Sequence, residues 1–75
     1  MLVVKIELIE SLDSLDSKPY KILRVHDDGI KQLLITERLR RSAVRTAKRL
    51  ADQANVPLAI YGSKLQRTEK RLMRR

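Results

Sequence analysis

One segment of the sequence, residues 38–55, repeats its apolar residues with the spacing of an amphipathic helix. Neighbouring residues of a helix lie about 100° apart, so the apolar side chains fall on one face and the cationic side chains on the opposite face. Most of the apolar residues are alanines, which let a helix approach a flat surface such as a β-sheet. The fold must therefore supply a surface for the apolar face, and the cationic face remains free for a partner. The apolar face comprises Leu39, Ala43, Val44, Ala47, Leu50, Ala51 and Ala54.

The two ends of this helix differ in how clearly the sequence marks them. Arg40 falls within the apolar face, so either the first turn is frayed from Thr36 onward or the regular helix begins near Ser42, a residue type that caps helix N-termini well. At the other end, Asn55 is suited to a left-handed C-cap, and the following Val56-Pro57 pair prevents further winding. The end is therefore predicted more sharply than the start.

The first strand is predicted at residues 2–9, where β-branched residues alternate around Lys5 and Glu7. The next stretch, residues 10–19, contains the triplet Ser-Leu-Asp twice and ends at a proline. We interpret it as a solvated connection with local turns. A second interpretation is an acidic flap that folds over the basic helix face until a partner displaces it. The side chains of the first strand expected to face the core are Val4, Ile6 and Leu8.

A hairpin is the strongest local signal after the helix. Residues 20–26 and 30–35 are strand-like and flank the turn sequence Asp27-Asp28-Gly29. A type I turn with Gly29 in a left-handed bulge places Leu23 opposite Leu33. A two-residue turn instead shifts the register by one residue and exchanges the two faces of the strand. The sequence leaves both registers open.

The remaining residues predict a short strand and a basic tail. Residues 57–61 form a fourth strand, with Pro57 favouring its beginning or an edge of the sheet. Residues 63–75 are either a basic arm, disordered when free, or a short helix or edge strand with weak packing. The prediction is an α+β domain at residues 1–62 with the order β-β-β-α-β, in which one amphipathic helix covers an antiparallel sheet, followed by a basic C-terminal tail.

Charge divides the chain into two unequal halves. Residues 1–36 hold five basic and six acidic residues, a net charge of −1, whereas residues 37–75 hold twelve basic and three acidic residues, a net charge of +9. A one-sided cationic surface can bind a phosphate backbone by releasing its counterions, or attract an acidic protein. Two tyrosines and no other aromatic residue give little support for a surface that stacks on bases, so duplex DNA is expected before RNA.

The candidate nucleic-acid contacts lie on the cationic helix face and in the tail. Three arginines at the start of the helix oppose the helix dipole, an arrangement that a bound anion would make favourable. The same surface also suits an adaptor or inhibitor that docks an acidic partner, of the kind that mobile elements carry. The predicted contacts are Arg38, Arg40, Arg41, Arg45, Lys48, Arg49, Lys64, Arg67, Lys70 and Arg71.

Catalysis is not expected. His26 is the sole histidine, and the adjacent Asp27 and Asp28 alternate in direction, so the three do not converge as a metal or acid–base site. A small ribonuclease that uses His26 as general base with arginines around the phosphate is a third alternative. No cofactor is predicted. The lack of cysteine, of a membrane span and of a signal peptide predicts a cytoplasmic protein, and the short chain would gain buried surface as a homodimer.

Overall fold

The structure is a computed structural model that describes residues 2–73. Four strands form one sheet in the order β3-β2-β1-β4, and two helices accompany it. Neither helix within the described residues combines the length and the apolarity that crossing a bilayer requires. The elements are β1 (Val3–Glu10), β2 (Tyr20–His26), β3 (Lys31–Glu37), α1 (Arg40–Ala54), β4 (Leu58–Ile60) and α2 (Ser63–Met73).

The α+β class is confirmed, but the expectation of an antiparallel sheet is wrong because the sheet is mixed. β1 and β2 pair antiparallel, as do β2 and β3, whereas β4 pairs parallel to β1 with Ile6 opposite Leu58. The reason is that α1 returns the chain along the length of the sheet after β3, so that β4 enters in the direction of β1. β4 is an edge strand, as Pro57 indicated.

The β2–β3 hairpin adopts the first of the two expected registers. The Gly29 N–H donates to the His26 carbonyl at 3.0 Å, and Gly29 has a φ of 88°, which is the left-handed conformation that a bulge after a type I turn needs. Leu23 then lies opposite Leu33. A second irregularity follows, because Ile22 pairs with Ile35 and Leu34 is left over as an extra residue in β3.

β1 follows the predicted alternation only in its second half. Ile6 and Leu8 are fully buried, as expected, but Val4 is 43% exposed. The register shifts between Val3 and Lys5, so Val4 sits at a bulge where the alternation of faces breaks. The inward position predicted for Val4 is therefore wrong.

α1 lies on the sheet through its alanines. Ala43, Ala47 and Ala51 are buried in one cluster with Ile6, Leu8 and Ile22 of the sheet, which confirms the close approach that small side chains allow. We call the helices together the helix layer, and the sheet surface that faces away from them the open sheet face.

The ends of α1 resolve the ambiguity in the sequence. The helix begins at Arg40. Its N-cap position is Leu39 rather than Thr36 or Ser42, and the Leu39 side chain makes no capping hydrogen bond. Leu39 precedes the helix and is 65% exposed, so its expected place on the apolar face is wrong. Asn55 is confirmed as the left-handed C-cap, with a φ of 56° and a ψ of 46°.

Residues 63–73, for which the sequence left several states open, form α2. Leu65 of α2 is fully buried in the same core as α1 and the sheet, and Leu72 packs against that core. This burial explains why a helix forms from a mostly polar segment, since helices are stabilised mainly by the packing of one face. Arg74 and Arg75, the end of the expected tail, lie outside the described residues.

Candidate functional site

The helix layer contains a groove between the first turns of α1 and the exposed side of α2. Its volume is about 630 Å³. Cationic side chains from both helices line it, and two leucines form its apolar part. We call it the basic groove. Its cations are Arg40, Arg41, Lys64, Arg67 and Arg71, and its leucines are Leu39 and Leu72.

The packing of α2 brings these cations together. Lys64, Arg67 and Arg71 are three and four residues apart, so they share one face of the helix. Leu65 is buried against the rest of the molecule, which fixes the rotation of α2 and turns the cationic face toward the start of α1. The groove therefore depends on a tertiary contact as well as on the charge of either helix.

Within residues 2–73 the lining of the basic groove includes no carboxylate, so none of these residues compensates its charge. The first turn of α1 contains no acidic residue either. Each arginine at that position interacts unfavourably with the helix dipole, at a cost of about a few tenths of a kcal/mol in stability. Within residues 2–73, Lys48 is the one predicted contact residue that forms a salt bridge, with Asp52 at 3.4 Å.

Half of the ten predicted contact residues line this groove, and the others are distributed around it. Arg45, Lys48 and Arg49 line a second depression of about 410 Å³, which also contains Asp52 and Glu69. Arg38 lies before α1 in a shallow depression shared with Lys18. Lys70 is exposed on α2 and lines none of these depressions. The continuous stripe expected from the sequence is thus divided into a groove without carboxylates and a neighbouring mixed surface.

The open sheet face holds a charged cluster that sequence reasoning missed. Glu7 is only 2% exposed, and its carboxylate lies 3.1 Å from the Lys5 ammonium and 3.0 Å from the Lys31 ammonium. The Tyr61 hydroxyl donates to the same carboxylate at 3.3 Å. A lysine two residues before a glutamate in an otherwise apolar strand is the signal that could have indicated the first of these pairs.

Protonation in this cluster follows from its contacts. Burial alone would raise the pKa of Glu7, but hydrogen bonds from Lys31 and Lys5 outweigh it and hold the pKa of this carboxyl below its usual value. The pKa of Lys5 is raised by its hydrogen bond to Glu7 and by Tyr61. Glu7 and Lys5 are therefore held in their charged forms, and the two lysines of this cluster share one carboxylate.

The remaining acidic residues do not cover the basic groove. Asp16 pairs with Lys21 at 2.7 Å, and this pair together with the Lys18 N–H lowers the pKa of Asp16. Within residues 2–73 no salt bridge joins the 10–19 connection to α1. The interpretation of this connection as a flap over its own helix is therefore not supported by the contacts.

Among the hairpin residues considered for catalysis, the Asp28 side chain is engaged in the turn, whereas the His26 Nδ1 is buried with no hydrogen-bond partner within residues 2–73. The Asp28 carboxylate accepts from the Ile30 N–H at 3.0 Å, and the Asp27 N–H donates to the Leu2 carbonyl at 2.8 Å. No group of three or more histidine, aspartate or glutamate side chains within residues 2–73 is placed to hold a metal ion. The tyrosines also lie apart from the groove, since Tyr20 is in the core and Tyr61 contacts Glu7.

Comparison of this chain with models of protein families, with curated protein sequences and with solved structures found no match.

Proposed function

We propose that this protein binds nucleic acid without catalysis, duplex DNA in preference to RNA, through the basic groove. The observation that carries the proposal is the convergence of five cations from two helices on one groove, whose lining within the described residues 2–73 includes no carboxylate. Each such cation that meets a phosphate releases condensed counterions, which gives affinity for any nucleic-acid backbone. A surface that only keeps a protein soluble has no need to concentrate its cations in a concave site.

The chemistry of the lining suits phosphate oxygens. Arg40 and Arg41 lie in the first turn of α1, where backbone N–H groups lack intrahelical partners and the helix dipole is positive. Arginine forms paired, charge-assisted hydrogen bonds to phosphate, so the same two side chains that oppose the dipole when free are stabilised by a bound anion. Arg38 and Arg45 on either side extend the cationic surface to neighbouring phosphates.

The preference for a duplex follows from what the groove lacks. Recognition of single strands relies on aromatic side chains that stack on bases, and neither tyrosine lines the groove. Contacts to phosphate position a protein on a duplex and carry little sequence information. We therefore expect affinity that depends strongly on salt and weakly on sequence.

Fluorescence anisotropy with a short DNA duplex, the corresponding single strand and an RNA duplex, each at two salt concentrations, tests this proposal. The key variant is Arg71→Glu, and the matched control is Lys70→Glu, which makes the same change in net charge on the adjacent residue of α2 outside the groove. Arg71→Glu is expected to weaken duplex binding about tenfold or more and to flatten the salt dependence, with a much smaller effect from Lys70→Glu.

Two results would overturn the proposal. One is the absence of binding to all three nucleic acids at low salt. The other is an equal loss in the two variants, because binding would then follow overall charge and not the groove. Circular dichroism of both variants checks that the fold is retained.

A further inference from the structure

The connection between β1 and β2 displays two leucines to solvent. Leu12 and Leu15 are 102% and 90% exposed, so neither is buried against the rest of its own copy. Both belong to the repeated Ser-Leu-Asp triplet, in which each leucine directly precedes an aspartate. We call residues 11–19 the acidic loop. Its surface combines apolar and anionic groups at one tip.

Local hydrogen bonds hold the acidic loop in this shape. The Ser11 N–H donates to the Pro19 carbonyl at 2.7 Å and closes the base of the loop. The Asp13 carboxylate accepts from the Leu15 N–H at 3.0 Å, and Asp16 accepts from the Lys18 N–H at 3.0 Å. Since the turns are formed before any partner arrives, a partner would not have to order the loop on binding.

The chemical complement of this loop is an apolar recess rimmed by cations, and the chain itself contains one. The basic groove is lined by Leu39, Leu72 and five cations. Phosphate contacts would account for the cations of the groove. They do not explain why the Leu39 side chain is 65% exposed beside arginines. Leucine side chains flanked by carboxylates would contact both parts of the lining.

We propose that the acidic loop of one copy docks in the basic groove of a second copy, with Leu12 and Leu15 against Leu39 and Leu72. The carboxylates of Asp13 and of Glu10, the residue that directly precedes the loop, then lie among the arginines of the groove. Opposite charge on the two surfaces favours this second copy over an unrelated apolar partner.

The positions of the two surfaces suit a symmetric pair. Leu39 lines the basic groove and also the depression that contains Lys18 of the acidic loop, so the loop and the groove of one copy are neighbours. A two-fold axis close to Leu39 would bring each loop to the other copy's groove and form both contacts at once. Such an arrangement closes on itself and produces a dimer.

Docking of the loop and binding of nucleic acid would use the same cations. The expectation that they compete rests on the proposed function, whereas the self-association does not. Duplex DNA should therefore dissociate the dimer. A protein that remains monomeric but binds DNA would disprove the dimer alone, and a dimer that ignores DNA would disprove the nucleic-acid proposal alone.

Sedimentation velocity of the full chain over a range of concentrations tests the dimer. Leu12→Ser with Leu15→Ser should raise the dimer dissociation constant about tenfold or more. The matched control is Leu2→Ser with Leu33→Ser, which removes two other exposed leucines, 73% and 53% exposed, outside the loop and the groove. This control should leave the dissociation constant unchanged.

A charge exchange provides the second measurement. Glu10→Lys with Ser14→Lys in one chain, and Arg67→Glu with Arg71→Glu in another, should each prevent self-association. The first pair leaves in place the Asp13 carboxylate that holds the turn of the loop. A mixture of the two variants should form a heterodimer, because the variant loop and the variant groove are again complementary. The proposal is overturned if the wild type is monomeric at every concentration, or if Leu12→Ser with Leu15→Ser associates like the wild type. It is also overturned if the leucine control weakens association equally, or if the mixture of the two charge variants stays monomeric.

Discussion

The open sheet face and the helix layer both carry cations, but the two surfaces differ in how these cations are paired with carboxylates. On the open sheet face, Lys5 and Lys31 share the carboxylate of Glu7 within 3.1 Å. In the helix layer, Lys48 alone among the ten candidate contact residues has a carboxylate partner within residues 2–73. A cation paired with a buried carboxylate contributes to stability, whereas a cation left without a partner is available to a ligand. Removing charge should therefore have opposite consequences on the two surfaces.

The largest effect is expected from a variant that loosens the packing of α2 against the rest of the molecule. Leu65→Ala should lower the free energy of unfolding by about 2–5 kcal/mol, because Leu65 is fully buried and a cavity would replace it. Duplex affinity should fall as well, although every cation remains, because α2 would no longer hold Lys64 and Arg67 at the groove. Urea denaturation and anisotropy measure the two effects. Leu2→Ala, at a leucine that is 73% exposed, is the control and should change stability by less than about 0.5 kcal/mol.

Unchanged duplex affinity in folded Leu65→Ala protein would show that binding does not require α2. The cations that bind the duplex would then be those of α1 alone.

On the open sheet face, Glu7→Gln should destabilise the protein by about 1–2 kcal/mol, because it removes the charged acceptor that two ammonium groups share. Duplex binding should be unaffected, since Glu7 does not line the groove. Chemical denaturation at neutral pH measures the loss. A variant with unchanged stability would contradict the structural role assigned to this cluster.

The same residue predicts a dependence on pH. The pKa of Glu7 is lower in the folded protein than its ordinary value, so its contribution to stability is present above the unfolded pKa of about 4.3 and is lost as the pH falls through the folded pKa. Thermal unfolding between about pH 6 and pH 3 should show a larger decrease in wild type than in Glu7→Gln. Asp16, whose pKa is also lowered, contributes with the same sign to both proteins and does not obscure the difference.

The smallest expected effect has the opposite sign and sharpens the comparison. Arg40→Glu places an acidic residue in the first turn of α1, where none is present, and removes a cation that opposes the dipole. It should stabilise the protein by about 0.3–1 kcal/mol and weaken duplex binding at the same time. Arg40→Gln should give an intermediate result. Loss of stability in Arg40→Glu would indicate that this arginine has a structural partner.

Local sequence signals predicted the parts of this fold that depend on local chemistry. The hairpin turn, the left-handed Asn55 cap and the alanine face of α1 follow from residue types that suit one backbone conformation or one packing distance. The sequence is compatible with two registers of the β2–β3 hairpin, and the left-handed Gly29 bulge distinguishes them. Only the folded hairpin shows which one forms.

Features that depend on distant parts of the chain were not predicted. The parallel pairing of β4 with β1 depends on the path of α1 across the sheet, which leaves no mark in either strand. The buried side of α2 has helical spacing, with Leu65 buried and Thr68, Glu69 and Leu72 partly buried, but two of these four residues are polar. The basic groove was missed for this reason, because its cations were recognised one by one while their convergence depends on α2.

The parallel pairing also has a consequence for how the molecule assembles. β1, β2 and β3 are joined by short connections, whereas Ile6 of β1 meets Leu58 of β4 across more than fifty intervening residues. Closing a long loop costs more conformational entropy than closing a short one, so we expect the three-stranded meander to form first and β4 with α2 to join afterwards. The surface assigned to ligands would then be the last part of the chain to take shape, and its formation would report that folding is complete.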